Sequence, residues 1–115
     1  MLVVSRFAVP EAGGERFLDR ARTALVALAR CPGYRRGRIG RSADEPDRWV
    51  LVTEWEGVGA YRRALSSFDV RVQAAQFLGE SCDEPSAYEV LVADDGERGS
   101  DRIVGGTRES DRPPG

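Results

Sequence analysis

Apolar residues along this chain change their spacing at clear boundaries, and each change marks an element. The run Arg48-Trp49-Val50-Leu51-Val52-Thr53-Glu54-Trp55-Glu56 alternates. Trp49, Leu51, Thr53 and Trp55 face one way and Val50, Val52 and Glu54 the other, as successive strand side chains do. Both sides are largely apolar, so this strand needs cover on both faces. Leu2 to Val9 is a shorter β-rich run ended by Pro10. Between them Phe17, Leu18, Ala21, Ala24, Leu25, Leu28 and Ala29 recur at helical spacing, which predicts an amphipathic helix. Glu15 and Arg30 at its ends suit the helix dipole, and Cys31-Pro32-Gly33 stops it. Tyr34 to Arg41 is an arginine-rich strand whose Gly37 and Gly40 suit an edge or a bulge. Ser42 to Asp47 is a polar turn. After the tryptophan strand comes a two-part helix, Val58 to Leu65 and Val70 to Leu78, interrupted at Ser66-Ser67, with Ser67 able to cap the second part. Gly79 to Ser86 reads as a loop and Ala87 to Ala93 as a fourth strand.

The order β-α-β-β-α-β predicts an α+β, ferredoxin-like domain over residues 1–93: a four-stranded antiparallel sheet with two helices on one face. The other face, with Val4, Val50 and Val52, would be wet in a monomer. A two-fold partner is the economical cover, because a symmetric dimer lets one patch bury itself, and two such sheets form a barrel-like sandwich. From Asp94 to Gly115 the composition turns to Gly, Arg and Asp, with six acids and four arginines, and a flexible charged tail is expected.

Charge narrows the function. With 17 basic residues against 19 acidic, the chain lacks the basic excess of a general nucleic-acid binder. It contains no histidine, which removes histidine general-base chemistry and the commonest metal ligand. Cys31 and Cys82 are too few for a zinc site without histidine, and in a cytosolic chain they are expected to be free. No apolar run approaches the ~20 residues of a membrane span, and the N-terminus lacks the pattern of a signal peptide. A cytoplasmic location is the expectation. Gly13-Gly14 lacks the pattern of a phosphate loop. Arg36 and Arg38 share one face of their strand, as a solvated basic strand or as a carboxylate or phenolate contact.

Several segments together resemble a known family. They are Val4-Ser5-Arg6-Phe7, Pro32-Gly33-Tyr34, Asp47-Arg48-Trp49 leading to Thr53-Glu54-Trp55-Glu56, and Ser67-Phe68-Asp69-Val70-Arg71. The chain is similar here to the antibiotic biosynthesis monooxygenase domain, of the dimeric α+β barrel superfamily. The resemblance implies a homodimer paired through the sheet face. It also implies oxidation of a polycyclic aromatic or polyketide-type small molecule with no metal and no cofactor. Some members degrade haem through a histidine on the second helix. That place falls near Ala64 here, and no histidine exists to fill it.

The resemblance also implies a site. Trp55 stands where the family often has a pocket tryptophan, whose ring can stack on a flat substrate and whose N–H can bond a quinone or phenol oxygen. Ser5 stands where active relatives often carry asparagine; a hydroxyl is shorter and presents no amide. Trp55, Ser5 and Tyr61 are the candidate catalytic residues, with Trp49, Thr53, Phe7 and Phe68 as candidate substrate contacts. Three functions stay open. The first is a cofactor-independent monooxygenase, in which an electron-rich phenolate itself reduces dioxygen inside a dry pocket. The second is a non-catalytic dimeric module for a small aromatic ligand. The third is a cyclase, isomerase or decarboxylase that needs proton transfer and no oxygen, with Glu54, Tyr61 and Tyr88 as nominal acids or bases.

Overall fold

The computed structural model describes residues 1–96. The charged tail expected from Asp94 therefore lies outside the described residues after Gly96. Strands β1 (Leu2–Ala8), β2 (Tyr34–Arg41), β3 (Arg48–Trp55) and β4 (Ala87–Tyr88) form one sheet in the order β2-β3-β1-β4. All three adjacent pairs are antiparallel. A 3₁₀ turn over Glu11–Gly13 leads into helix α1 (Gly14–Ala29). The second helical region is in three pieces, α2 (Val58–Ser66), α3 (Phe68–Gln73) and α4 (Ala75–Gly79). The ferredoxin-like α+β plan expected from the sequence is the fold observed.

Alternation on β1 and β3 defines the layers. Val3, Ser5 and Phe7 of β1 and Leu51, Thr53 and Trp55 of β3 are buried beneath the helices. From the helices, Phe17, Ala21, Ala24, Ala27, Leu28, Ala60, Ala64, Val70 and Phe77 close the same core. Ala27, not Ala29, completes the buried stripe of α1. Small residues there let the helix lie close to its neighbours. The register Val4↔Val52 and Arg6↔Val50 puts the remaining side chains on the outer face, where Val4, Val50 and Val52 are only partly covered.

Local chemistry sets the joints. Gly33, after α1, has φ +90, and a Cβ built there would lie 2.4 Å from the Cβ of Ala60. Only glycine meets both demands cheaply. The pairing of β2 with β3 shifts register between Tyr34 and Arg36, the bulge expected in this arginine-rich strand. Ser67 parts α2 from α3 in extended backbone, and its hydroxyl accepts the Val70 N–H at 3.3 Å. Asp69 adds a negative charge in the first turn. A further break at Ala74, φ −131, was not expected from its alanine-rich surroundings; beyond it Phe77 turns into the core and stacks on Phe7.

Strand β4 is shorter than the expected Ala87–Ala93. Tyr88 pairs with Leu2, where β1 begins, so the chain beyond Tyr88 runs past the end of its partner strand. Leu91 and Val92 are 85% and 88% exposed.

Candidate active site

Two aromatic groups occupy the space between sheet and helices. The inner group centres on Trp55 of β3, 1% exposed. Tyr34 of β2 meets its ring edge-on at 5.4 Å, and Tyr61 of α2 lies tilted against it at 5.6 Å. Trp55 and Thr53 are two apart on one strand, so their side chains share a face. The indole N–H donates to Thr53 Oγ1 at 2.8 Å, and the buried pair satisfies itself. Burial without a charge partner raises the Tyr61 phenol above its ordinary pKa. At neutral pH Tyr61 is therefore a neutral phenol, able to donate or accept a hydrogen bond but not to act as a base.

The outer group lies nearer the end of the sheet where β2 turns into β3. Phe7 of β1 stacks on Phe77 with centroids 4.6 Å apart, Phe17 of α1 meets the Phe7 ring at 5.1 Å, and Trp49 lies 5.0 Å from Phe17. Register brings Phe7 directly opposite Trp49.

Two open cavities flank Pro10 beside this outer group. One, about 300 Å³, is lined by Phe7, Val9, Phe17, Arg16, Arg20 and Glu80, among others. Arg20 and Glu80 clasp one another there through two 2.9 Å hydrogen bonds, and that contact holds the Glu80 carboxyl below its usual pKa. The other, about 540 Å³, is lined by Pro10, Glu11, Gly14, Arg41, Pro46, Asp47 and Trp49. A third cleft of about 360 Å³ opens on the outer face, between Arg6, Arg48 and Val50, and again includes Trp49 and Arg41. These volumes suit small-molecule ligands.

The residues expected at the site thus fall into three sets. Trp55, Thr53 and Tyr61 come together in the core, with Ser5, 7% exposed, on the neighbouring strand opposite Leu51. None of the four lines any of these three cavities. Trp49 and Phe7 come together at the cavity walls. Phe68 joins neither group: as the first residue of α3 it stands 81% exposed. Phe17, expected only as core, and Arg41, not expected at the site, also line these cavities. The signal for Arg41 was its place at the end of β2, directly across from Trp49 in register. Cys31 and Cys82 are free thiols. Among the described residues, no three His, Cys, Asp or Glu side chains are grouped to hold a metal ion. No helix there is long and apolar enough to cross a membrane.

The chain has a buried aromatic interior with cavities beside it, and comparison with known proteins defines its class. Residues 1–76 match the family described as antibiotic biosynthesis monooxygenase, and the chain belongs to that family. Its function at this level is monooxygenase-like. Among solved structures it is similar to SnoaB, a cofactor-independent oxygenase from Streptomyces nogalater. A single-site variant of SnoaB is 29% identical, at a TM-score of 0.63 over 80% of this chain and 93% of that one. A second SnoaB structure is 28% identical, at a TM-score of 0.61 over 78% of this chain and 94% of that one. A conserved protein from Methanosarcina mazei Go1 shares the fold at 15% identity, with a TM-score of 0.60 over 75% of this chain and 84% of that one. No curated protein matches the sequence significantly.

Proposed function

We propose that this protein is a cofactor-independent monooxygenase acting on an aromatic or polyketide-type small molecule. The observation that carries the reading is the cavity of about 540 Å³ that has the Trp49 ring as one wall, in a chain 29% identical to a cofactor-independent oxygenase. The substrate supplies the electrons. Its enolate or phenolate passes one electron to dioxygen, and the radical pair joins at carbon as a hydroperoxide. Loss of water then leaves a new carbonyl, so one oxygen atom enters the product and the other leaves as water. The protein binds the ring, orients it and excludes bulk water.

In this reading Trp49 contacts the substrate, and Phe7, opposite it in register, lines the two neighbouring cavities. Trp55, Thr53, Ser5 and Tyr61 form the interior behind them, with Tyr61 as a neutral donor. Trp55 supports the site from behind and is no hydrogen-bond donor to the ligand, because its N–H is already donated to Thr53. The functional unit is a homodimer in which the partly covered face of Val4, Val50 and Val52 meets its symmetry mate. A reducing cytoplasm suits the two free thiols. An oxygen electrode tests the proposal: anthrone- and naphthol-type substrates should give uptake above the uncatalysed rate, and no uptake across such a series sinks it. The internal bond of Trp55 favours a second reading, a dimeric module that binds an aromatic ligand without turnover. Tight binding of those compounds with no oxygen consumed would select it.

A further inference from the structure

Arg41 closes β2 and lies across from Trp49 in the β2–β3 register. Its guanidinium carbon sits over the Trp49 ring, 5.6 Å from the centroid. It lines both the 540 Å³ cavity and the 360 Å³ cleft, so the Arg41–Trp49 pair forms the partition between them.

Arg35 and Arg38 of the same strand, like Arg41, have no carboxylate within ion-pair distance among the described residues, but neither lines the 540 Å³ cavity; the other arginines near the site are paired. Arg6 is tied to Glu84 at 3.3 Å, Arg36 to Glu54 at 3.2 Å, and Arg48 lies 3.8 and 3.9 Å from Glu45 and Asp47. No carboxylate of the described residues pairs with Arg41, and it is the one cation among the residues lining the 540 Å³ cavity. Two carboxylates, Glu11 and Asp47, line that cavity as well, and Asp47 has Arg48 beside it. Arg41 therefore presents a planar set of donors over the Trp49 ring with no carboxylate within ion-pair distance to satisfy them. A guanidinium held on an indole face keeps its N–H edge free, and that edge matches a two-oxygen or phenolate anion.

We infer that Arg41 determines specificity at this site by selecting the ionised form of an aromatic ligand, stacking it along Trp49 and pairing with its oxyanion. This rests on the reading of the Trp49 end as the substrate site. It adds the charge state of the substrate and the residue that reads it. An enolate or phenolate is the electron-rich form that reduces dioxygen, so binding that form and enabling turnover become one selection.

Calorimetric titration of the full chain with 2-naphthoate and with 2-naphthamide separates charge from shape, since the two rings are alike and only one bears a charge. The wild type should prefer naphthoate by about tenfold, the ratio that corresponds to ~1.4 kcal/mol. Arg41→Gln should bring the ratio to about one, Arg41→Lys should keep part of it, and Arg22→Gln, on the exposed face of α1 and away from these cavities, should keep all of it. Thermal unfolding of each variant checks that the fold is intact, and a purely structural role would move that readout and not the ratio. A wild type without preference for the anion, or one that binds neither compound, overturns the inference. So does a ratio unchanged in Arg41→Gln. Oxygen uptake is measured separately: an Arg41-dependent preference without oxygen consumption counts against the oxygenase reading alone.

Discussion

Replacing Thr53 by valine removes one hydroxyl and keeps the branched shape. Thr53 is 3% exposed and its partner Trp55 1%, so water cannot replace the lost acceptor. The indole N–H, now 2.8 Å from Thr53 Oγ1, would be left buried and unpaired. An orphaned neutral donor costs about 1–3 kcal/mol. Valine recovers part of this, because the threonine hydroxyl no longer has to be desolvated. A net loss of about 1–2 kcal/mol is expected. Urea unfolding at neutral pH reads it, provided the slope m is unchanged. The sharper test is a double-mutant cycle with Trp55→Phe, which deletes the donor. If the bond carries the loss, Thr53→Val should cost much less in the phenylalanine background. Equal costs in both backgrounds, or a single-mutant loss under about 0.5 kcal/mol, would refute the argument. The same variant bears on function. With Trp55 supporting the site from behind, affinity for a neutral hydroxyaromatic should stay constant; tighter binding in Thr53→Val would show that the released N–H reaches the ligand.

Gly33→Ala should cost about 3 kcal/mol in urea unfolding, from a left-handed backbone and an overlap with Ala60. Adding Ala60→Gly should return only the overlap's share. Val52→Asp places a charge at the centre of the outer face, beside Val4 in register, and should convert a dimer to a monomer in light scattering after size exclusion; a mass unchanged from a wild-type dimer would remove this face as the interface. Arg20→Gln should destabilise in a pH-dependent way. Arg20 lowers the Glu80 pKa in the folded state, so the contribution is present above the ordinary carboxylate range and is lost as pH falls through the lowered value. Urea midpoints of wild type and variant should therefore differ at pH 7 and converge in acid.

The strands and their faces were legible because alternation is a local code. Trp49, Leu51, Thr53 and Trp55 could be placed on one side from spacing alone, but the Trp55–Thr53 bond was not legible there: the indole N–H was expected to reach a ligand, and it is donated to Thr53 instead. Ser67 announced its cap through its type and position. Strand β4 was over-extended because Val90, Leu91 and Val92 carry strand propensity, while strand formation also needs an edge to pair with, and β1 begins only at Leu2, the partner of Tyr88. Phe68 looked like a pocket residue by its size and motif, but the first position of a helix points where the incoming chain dictates, and here that is solvent. Arg41 was invisible as a site residue for another reason. A single arginine in an arginine-rich strand gains meaning only when three-dimensional pairing shows which of its neighbours already have carboxylate partners.

That last point orders the aromatic residues by what they can offer. A group whose hydrogen bonds are met internally binds a ligand only by breaking them, so the Trp55 N–H starts at a deficit comparable to the 1–3 kcal/mol of an orphaned donor. Trp49 carries no such burden: its ring lines both cavities, and its neighbour Arg41 has charge to spare. Depth and saturation fit Trp55 to holding the fold, and the proposed site gives the ligand contact to Trp49. The tryptophan that is best buried is thus the poorer candidate for contact. The test is substitution of each by phenylalanine. Trp49→Phe should weaken binding of an aromatic anion more than it lowers stability, and Trp55→Phe should do the reverse. If Trp55→Phe instead abolishes binding in a protein that unfolds at the wild-type urea midpoint, the assignment of roles is inverted.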